Sequence, residues 1–342
     1  MPDNDSVFML RALELAAMAK GMTNPNPMVG AVIVKDGRII GEGFHRKAGT
    51  AHAEVNAIAN AAERNEDTEG ATIYVTLEPC STFGRTSPCT EAIKKAKIKK
   101  TVIGCLDPNP RHNGQAIKIL QDAGIEVVHG IAEAACRDLN RAFFCWITTG
   151  KPFVMLKMAM TLDGKTATRQ GHSFWVSGEQ SRQRVQELRQ CSDAIMVGGE
   201  TLRLDHPKLT VRTPENWPRQ PLRLVASRTL TDQDLKNFFP DGNAMAVNPE
   251  KETWDAMLLR LGRMGITTLL IEGGSGLAGS AFQANAIDYV EFHIAPKLLG
   301  GAESRPVLGG VFSPLAMTDS RMLKDVKVCR YGEDIAVSGY LK

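Results

Sequence analysis

Apolar positions Met9, Leu13, Ala16 and Ala17 recur at the helical period behind Ser6, which predicts a first helix capped by Ser6. MVGAVIV and RII follow, joined by Lys35-Asp36-Gly37, where Asp-Gly predicts a hairpin. A helix over about 51–64 leads into the strand ATIYVTL. Next come a helix after Pro88, the strand TVIGCL, the helix QAIKILQDAG closed by Gly124, and the strand IEVVHG. Residues 131–149 read as one further helix. Strands alternating with helices predict an α/β sandwich with a partly parallel sheet.

Gly150-Lys151-Pro152 reads as a joint, after which the pattern starts afresh. PFVMLKMAMT predicts a strand, followed by a turn at Leu162–Lys165, a helix over 178–190 and the strands AIMVGG and LRLVAS. A helix near 251–263, the strand TTLLIEGG, the strand YVEFHIAPKL and a final hairpin, VKVCR to DIAVSGYL, complete the chain. Residues 203–220 read as a long loop, and loops of that length are usually functional. Two domains are expected, 1–147 and 151–342, as the 342-residue length also suggests.

Composition narrows the class more than the chemistry. Hydrophobic content of 43% and charged content of 23% are those of a globular chain. No apolar run reaches the roughly 20 residues of a membrane helix. The N-terminus carries Asp3 and Asp5 where a secretory signal would be basic. Seven cysteines, an odd count without framework spacing, point to a reducing compartment, so a cytoplasmic protein is expected. The net charge of +3 is too small to imply nucleic acid, and it lies wholly in residues 151–342. Lys94, Lys95, Lys97, Lys99 and Lys100 alternate with Ile93, Ala96 and Ile98 as a solvated face over a buried stripe, without aromatics to stack bases.

The chemistry begins with His52-Ala53-Glu54, Pro79-Cys80 and Pro88-Cys89. One imidazole and two thiolates make a three-ligand zinc set with a fourth position for water, whose pKa zinc lowers to roughly 7. Glu54, two residues from His52, suits a proton shuttle between that water and a leaving amine. His-x-Glu with a later Pro-Cys is the nucleobase-deaminase signature, although eight residues separate the cysteines here instead of two. Cys105 falls in an apolar strand and Cys136 and Cys145 in a helix, so these three are expected to be buried packing residues. In the second half, Gly274 to Ser280 follows a strand and opens a helix, an arrangement whose backbone amides can cradle phosphates. The acidic residue that a Rossmann fingerprint places about 20 positions on is missing, so that fold is not expected.

The runs NPNPMVGAVIV, GFHRKAGTAHAE, TLEPCSTFGRTSPC and DPNP resemble the deaminase domain of the bifunctional riboflavin-biosynthesis deaminase–reductases. KMAMTLDGKTA, GHSFWVSG, LRQCSDAIMVGGETLRLDHPKLTVR and LLIEGGSGLAGS are similar to the reductase domain of that family. The resemblance implies a cytidine-deaminase-like three-layer sandwich followed by a dihydrofolate-reductase-like domain. It implies His52, Cys80 and Cys89 as zinc ligands and Glu54 as the catalytic carboxylate, with Asn26, His45, Arg85, Asp107 and Asn109 on the pyrimidine or its ribose phosphate. It further implies NADPH held by Ala159, Trp175, Thr201, Asp205, Ser227 and the turn Gly274, Ser275, Gly276, Leu277, Ala278, Gly279, Ser280. Ser173, Arg189, Leu209, Arg212 and Glu272 would meet the substrate. Ser87 stands where the family usually has proline.

The implied activity deaminates 2,5-diamino-6-(5-phosphoribosylamino)pyrimidin-4-one and then reduces its ribosyl group to ribityl with NADPH. Glu272 and Asp205 are the candidates for the acid of the second step. The expected partners are a phosphorylated pyrimidine and further copies of the chain, with no nucleic acid and no membrane. Three other readings stand beside this one: a deaminase of cytidine or tRNA, a dihydrofolate-type reductase with a structural zinc module, and an RNA-binding zinc protein. Ammonia release and NADPH oxidation, followed together, separate them.

Overall fold

The computed structural model describes residues 4–82, 87–109, 112–310 and 313–341. The chain divides into two compact units, Met1–Gly150 and Lys151–Lys342.

The first unit runs α1 (Asn4–Ala17), β1 (Gly30–Lys35), β2 (Arg38–Phe44), α2 (Ala53–Glu63), β3 (Thr72–Leu77), α3 (Cys89–Lys95), β4 (Lys100–Cys105), α4 (Gln115–Asp122), β5 (Glu126–His129), α5 (Glu133–Leu139) and α6 (Arg141–Thr149). Its sheet has the order β2-β1-β3-β4-β5. β1 is antiparallel to β2 and β3, whereas β3, β4 and β5 are mutually parallel. Alternation along β1 sends Val32 and Val34 to one face with Met9, Ala12 and Cys136, and Ala31 and Ile33 to the other with Ala53, Ala57 and Leu120. Helices therefore cover both faces, in the three layers expected.

Three local expectations change. The first helix begins at Asn4, so Ser6 lies inside it, and it buries Met9, Ala12, Leu15 and Ala16 while Ala17 is exposed. The helix expected over 131–149 is two, because the buried Asn140 leaves helical geometry (φ −112°) between them. Its amide accepts from Met28 N and donates to Met28 O, both at 2.8 Å. Cys105 and Cys136 are buried as expected, but Cys145 is only half-buried.

The second unit continues with β6 (Phe153–Thr161), β7 (Lys165–Ala167), α7 (Glu179–Gln190), β8 (Ala194–Gly198), α8 (Gly199–Asp205), β9 (Leu222–Ala226), α9 (Asp232–Leu235) and β10 (Ala244–Val247). α10 (Trp254–Arg263), β11 (Thr268–Ile271), α11 (Ser275–Gln283), β12 (Tyr289–Ala295), β13 (Arg305–Pro306), β14 (Lys324–Tyr331) and β15 (Asp334–Tyr340) complete it. The main sheet has the order β10-β9-β8-β11-β6-β12-β15-β14, parallel from β10 to β12 and antiparallel thereafter. The C-terminal ends of β8 and β11 lie level with Leu156 in the middle of β6, which brings α8, the segment after β11 and the second half of β6 together at one edge. Residues 206–221 carry no helix or strand, consistent with the long loop read in the sequence, whose first residues belong to α8. Among the described residues, no helix is long and apolar enough to cross a membrane.

Candidate metal centre and nucleotide cleft

In the first unit, three separate elements deliver one ligand atom each. His52 is the N-cap of α2 in extended geometry, Cys80 follows β3, and Cys89 opens α3 behind Pro88. The three ligand atoms lie within 4.8 Å of one another. His52 Nδ1 is 3.3 Å from Cys89 Sγ and 3.5 Å from Cys80 Sγ. Tetrahedral zinc with bonds of roughly 2.0–2.3 Å sets its ligands about 3.3–3.8 Å apart, so these residues fit the ion. The hydrogen bond from the Cys89 thiol, aided by His52, holds Cys80 down as a thiolate at about 4. The same contact with Cys80 pushes the Cys89 thiol up. Two sulfurs sharing one proton are a site where a dication can take the proton's place.

Glu54, in the first turn of α2, is 3% exposed, and burial followed by the Cys80 charge pushes its carboxyl up to about 7. It lines a cavity of about 290 Å³ together with Asn26, His45, His52, Cys80, Asp107 and Asn109. The two His45 contacts fix its tautomer. Ala51 O can only accept, so Nδ1 carries the proton (3.1 Å), and Nε2 accepts from the Asn26 amide at 3.1 Å. Burial lowers the His45 pKa, consistent with that neutral form. Arg85 lies outside the described residues. Glu78, His112, Phe143 and Trp146 also line the cavity and were not singled out from the sequence. Glu78 stands in the TLEPC run, where it read only as motif context.

In the second unit two cavities, of about 250 and 630 Å³, share Thr201, Gly274, Ser275 and Arg305. The smaller is lined by Lys157, Ala159, Ser173, Trp175, Asp205 and Glu272, and the larger by Gly276, Leu277, Ser280, Arg228 and Trp254. Gly273 (φ 132°) and Gly274 (φ 87°) make the left-handed turn that lets β11 feed directly into the N-terminus of α11. Burial lowers the Lys157 pKa to about 8 and raises that of Asp205, whose Oδ2 lies 3.5 Å from Ser173 Oγ.

Other residues expected at the site stand outside the lining of these two cavities. Ala278 and Gly279 face the core, and a Cβ on Gly279 would come 1.7 Å from Gly309 O. Ser227 is buried, its Oγ accepting from Thr229 N and Leu230 N. Leu209 is 1% exposed. Arg189 turns onto Glu272 and Thr210 O, while the Arg212 backbone donates to Gln186 Oε1. None of Ser227, Ala278, Gly279, Arg189, Leu209 or Arg212 lines either cavity.

The comparisons agree with this geometry. Residues 2–105 match the cytidine and deoxycytidylate deaminase zinc-binding region, and residues 152–337 match the RibD C-terminal domain. The chain is 42% identical to the riboflavin biosynthesis protein RibD of Actinobacillus pleuropneumoniae, over 90% of this chain and 87% of that one. It is 36% identical to RibD of Escherichia coli over 97% and 98% of the two chains. Acinetobacter baumannii RibD superposes with a TM-score of 0.89 at 37% identity, covering 99% of both chains. A Thermotoga maritima diaminohydroxyphosphoribosylaminopyrimidine deaminase / 5-amino-6-(5-phosphoribosylamino)uracil reductase superposes with a TM-score of 0.90 at 35% identity, again over 99% of both. From end to end, the chain belongs to the RibD family, the bifunctional deaminase–reductases of riboflavin biosynthesis.

Proposed function

We propose that residues 1–147 deaminate 2,5-diamino-6-(5-phosphoribosylamino)pyrimidin-4-one and that residues 151–342 then reduce the ribosyl group of the product to ribityl with NADPH. The observation that carries the first half is the meeting of His52, Cys80 and Cys89 at tetrahedral spacing, beside a buried carboxyl poised near neutrality. Zinc, when bound there, activates a water for attack on the ring carbon that bears the amino group. Glu54 takes the proton that this water gives up and hands it to the departing nitrogen, which leaves as ammonia. Asn26, held by His45, presents an amide to the edge of the heterocycle, Asp107 and Asn109 border the same cavity and meet the pyrimidine or its ribose, and Arg85 suits the phosphate.

In the second unit the Gly274–Ser280 turn offers backbone N–H groups to the dinucleotide phosphates at a helix N-terminus. NADPH, when bound, supplies the hydride for the ribose C1′. Ala159, Trp175, Thr201 and Asp205 border the cavity where that carbon would lie, with Ser173 and Glu272 beside them. Ser227, Ala278 and Gly279 act behind that wall as packing that shapes it, and Arg189, Leu209 and Arg212 support the substrate side. The test follows ammonia release and NADPH oxidation on the diaminopyrimidinone phosphate. One ammonia and one oxidised NADPH per product are expected, with ammonia appearing first. Turnover of cytidine with no NADPH oxidation would contradict the reading.

A further inference from the structure

We infer that Glu78 is a positioning residue of the deaminase, acting on the substrate through Asp107 and Asn109. The inference rests on the deaminase reading above. Glu78 follows β3, is 4% exposed, and its own N–H donates to Cys105 O at 2.9 Å. Its carboxylate accepts three backbone N–H groups from one stretch of chain: Asp107 N (3.2 Å) and Gly114 N (2.9 Å) on Oε2, and Ala116 N (3.0 Å) on Oε1. Gly114 is the N-cap of α4 in left-handed geometry and supplies no side chain to its own helix, so Glu78 does the capping from across the fold. Asp107 relays the restraint, since its Oδ1 accepts from Asn109 N at 2.8 Å. One buried carboxylate thus holds the backbone at Asp107 and at Gly114 and Ala116, and with it the Asp107 and Asn109 that line the cavity.

The substitutions grade this restraint. Glu78→Ala removes all three acceptors. Glu78→Gln keeps one oxygen and turns an amide N–H onto a backbone N–H, so it retains two contacts at most. Deaminase kcat and KM, zinc content and NADPH oxidation on the deaminated intermediate are measured for wild type, both variants, Asn109→Ala and the double variant Glu78→Ala/Asn109→Ala.

Glu78→Ala is expected to raise KM by about tenfold or more with kcat within about threefold, and Glu78→Gln to raise it less. Zinc content and reduction should be unchanged. In the Asn109→Ala background, Glu78→Ala should add less than about threefold, because the residue it positions is gone. A fall in kcat at constant KM, loss of zinc, or an undiminished effect in the double variant would overturn the inference. If Glu78→Ala does not fold, the same split in Glu78→Gln decides. A wild type that releases no ammonia sinks the underlying reading, whereas normal wild-type turnover with unchanged KM in the variants sinks only this inference.

Discussion

Arg189 and Glu272, 83 residues apart in the chain, meet in a two-pronged ion pair with Nε on Oε1 and Nη2 on Oε2, both at 2.6 Å. Both side chains are more than nine-tenths buried, and the third guanidinium nitrogen donates to Thr210 O. The pair joins α7 to the end of β11 and to the 206–221 loop, which locks one wall of the smaller cavity. Resemblance alone assigned each residue to the substrate separately. Their geometry makes them first each other's partner.

Truncating one member leaves the other as a buried, unpaired charge, which costs about 3–5 kcal/mol. Arg189→Met should therefore lower the denaturant midpoint of the second unit and abolish NADPH oxidation while ammonia release persists. A variant with unchanged stability would show that the pair is strongly hydrated in solution.

Lys157 gives the reductase a pH signature. Burial brings its pKa down from 10.5 to about 8. The unfolded chain therefore binds more protons between these values, and stability contributed here is lost as pH falls from 10.5 through 8. For activity, Lys157 is a cation at the cavity floor below about 8 and neutral above it. Reductase kcat/KM for the phosphorylated, electron-rich intermediate should decline through about pH 8, and Lys157→Met should remove that limb. An alkaline limb that survives in the variant assigns it to another group.

Gly43 tests the seating of the metal centre. A Cβ there would lie 2.3 Å from Ala57 N and 2.5 Å from Ala53 O, so α2 can rest on β2 only at a glycine. Gly43→Ala must push away the helix that carries Glu54 and is capped by His52. Overpacking of this kind costs roughly 1–3 kcal/mol. Weaker zinc retention under mild chelation and slower ammonia release are expected, with NADPH oxidation intact. Unaltered zinc retention would mean that α2 relaxes without moving His52.

Local signals in the sequence carried much of this. His52, Glu54, Cys80 and Cys89 were legible because helix starts and Pro-Cys pairs mark them on their own elements. Apolar runs bounded by turn signals marked the central strands of both main sheets, because strands covered on both faces are apolar almost throughout. Pairing over long distances was hidden. The break at Asn140 interrupts an otherwise helical period only because Met28, 112 residues away, supplies the partners for its amide. Glu78 likewise looked like part of a motif until the loop it restrains came into view. Ser227, Leu209, Ala278 and Gly279 fell in motifs that match, and their burial depends on packing partners that the motifs do not spell out.

Two independent chemistries occupy the two units, and the first rests on the His52–Cys80–Cys89 centre. Cys80→Ser tests it most directly, with zinc content, ammonia release and NADPH oxidation measured on the same preparation. Loss of zinc and of ammonia release from the diaminopyrimidinone phosphate is expected, together with undiminished NADPH oxidation when the deaminated intermediate is supplied. Ammonia release that survives the loss of zinc would contradict it.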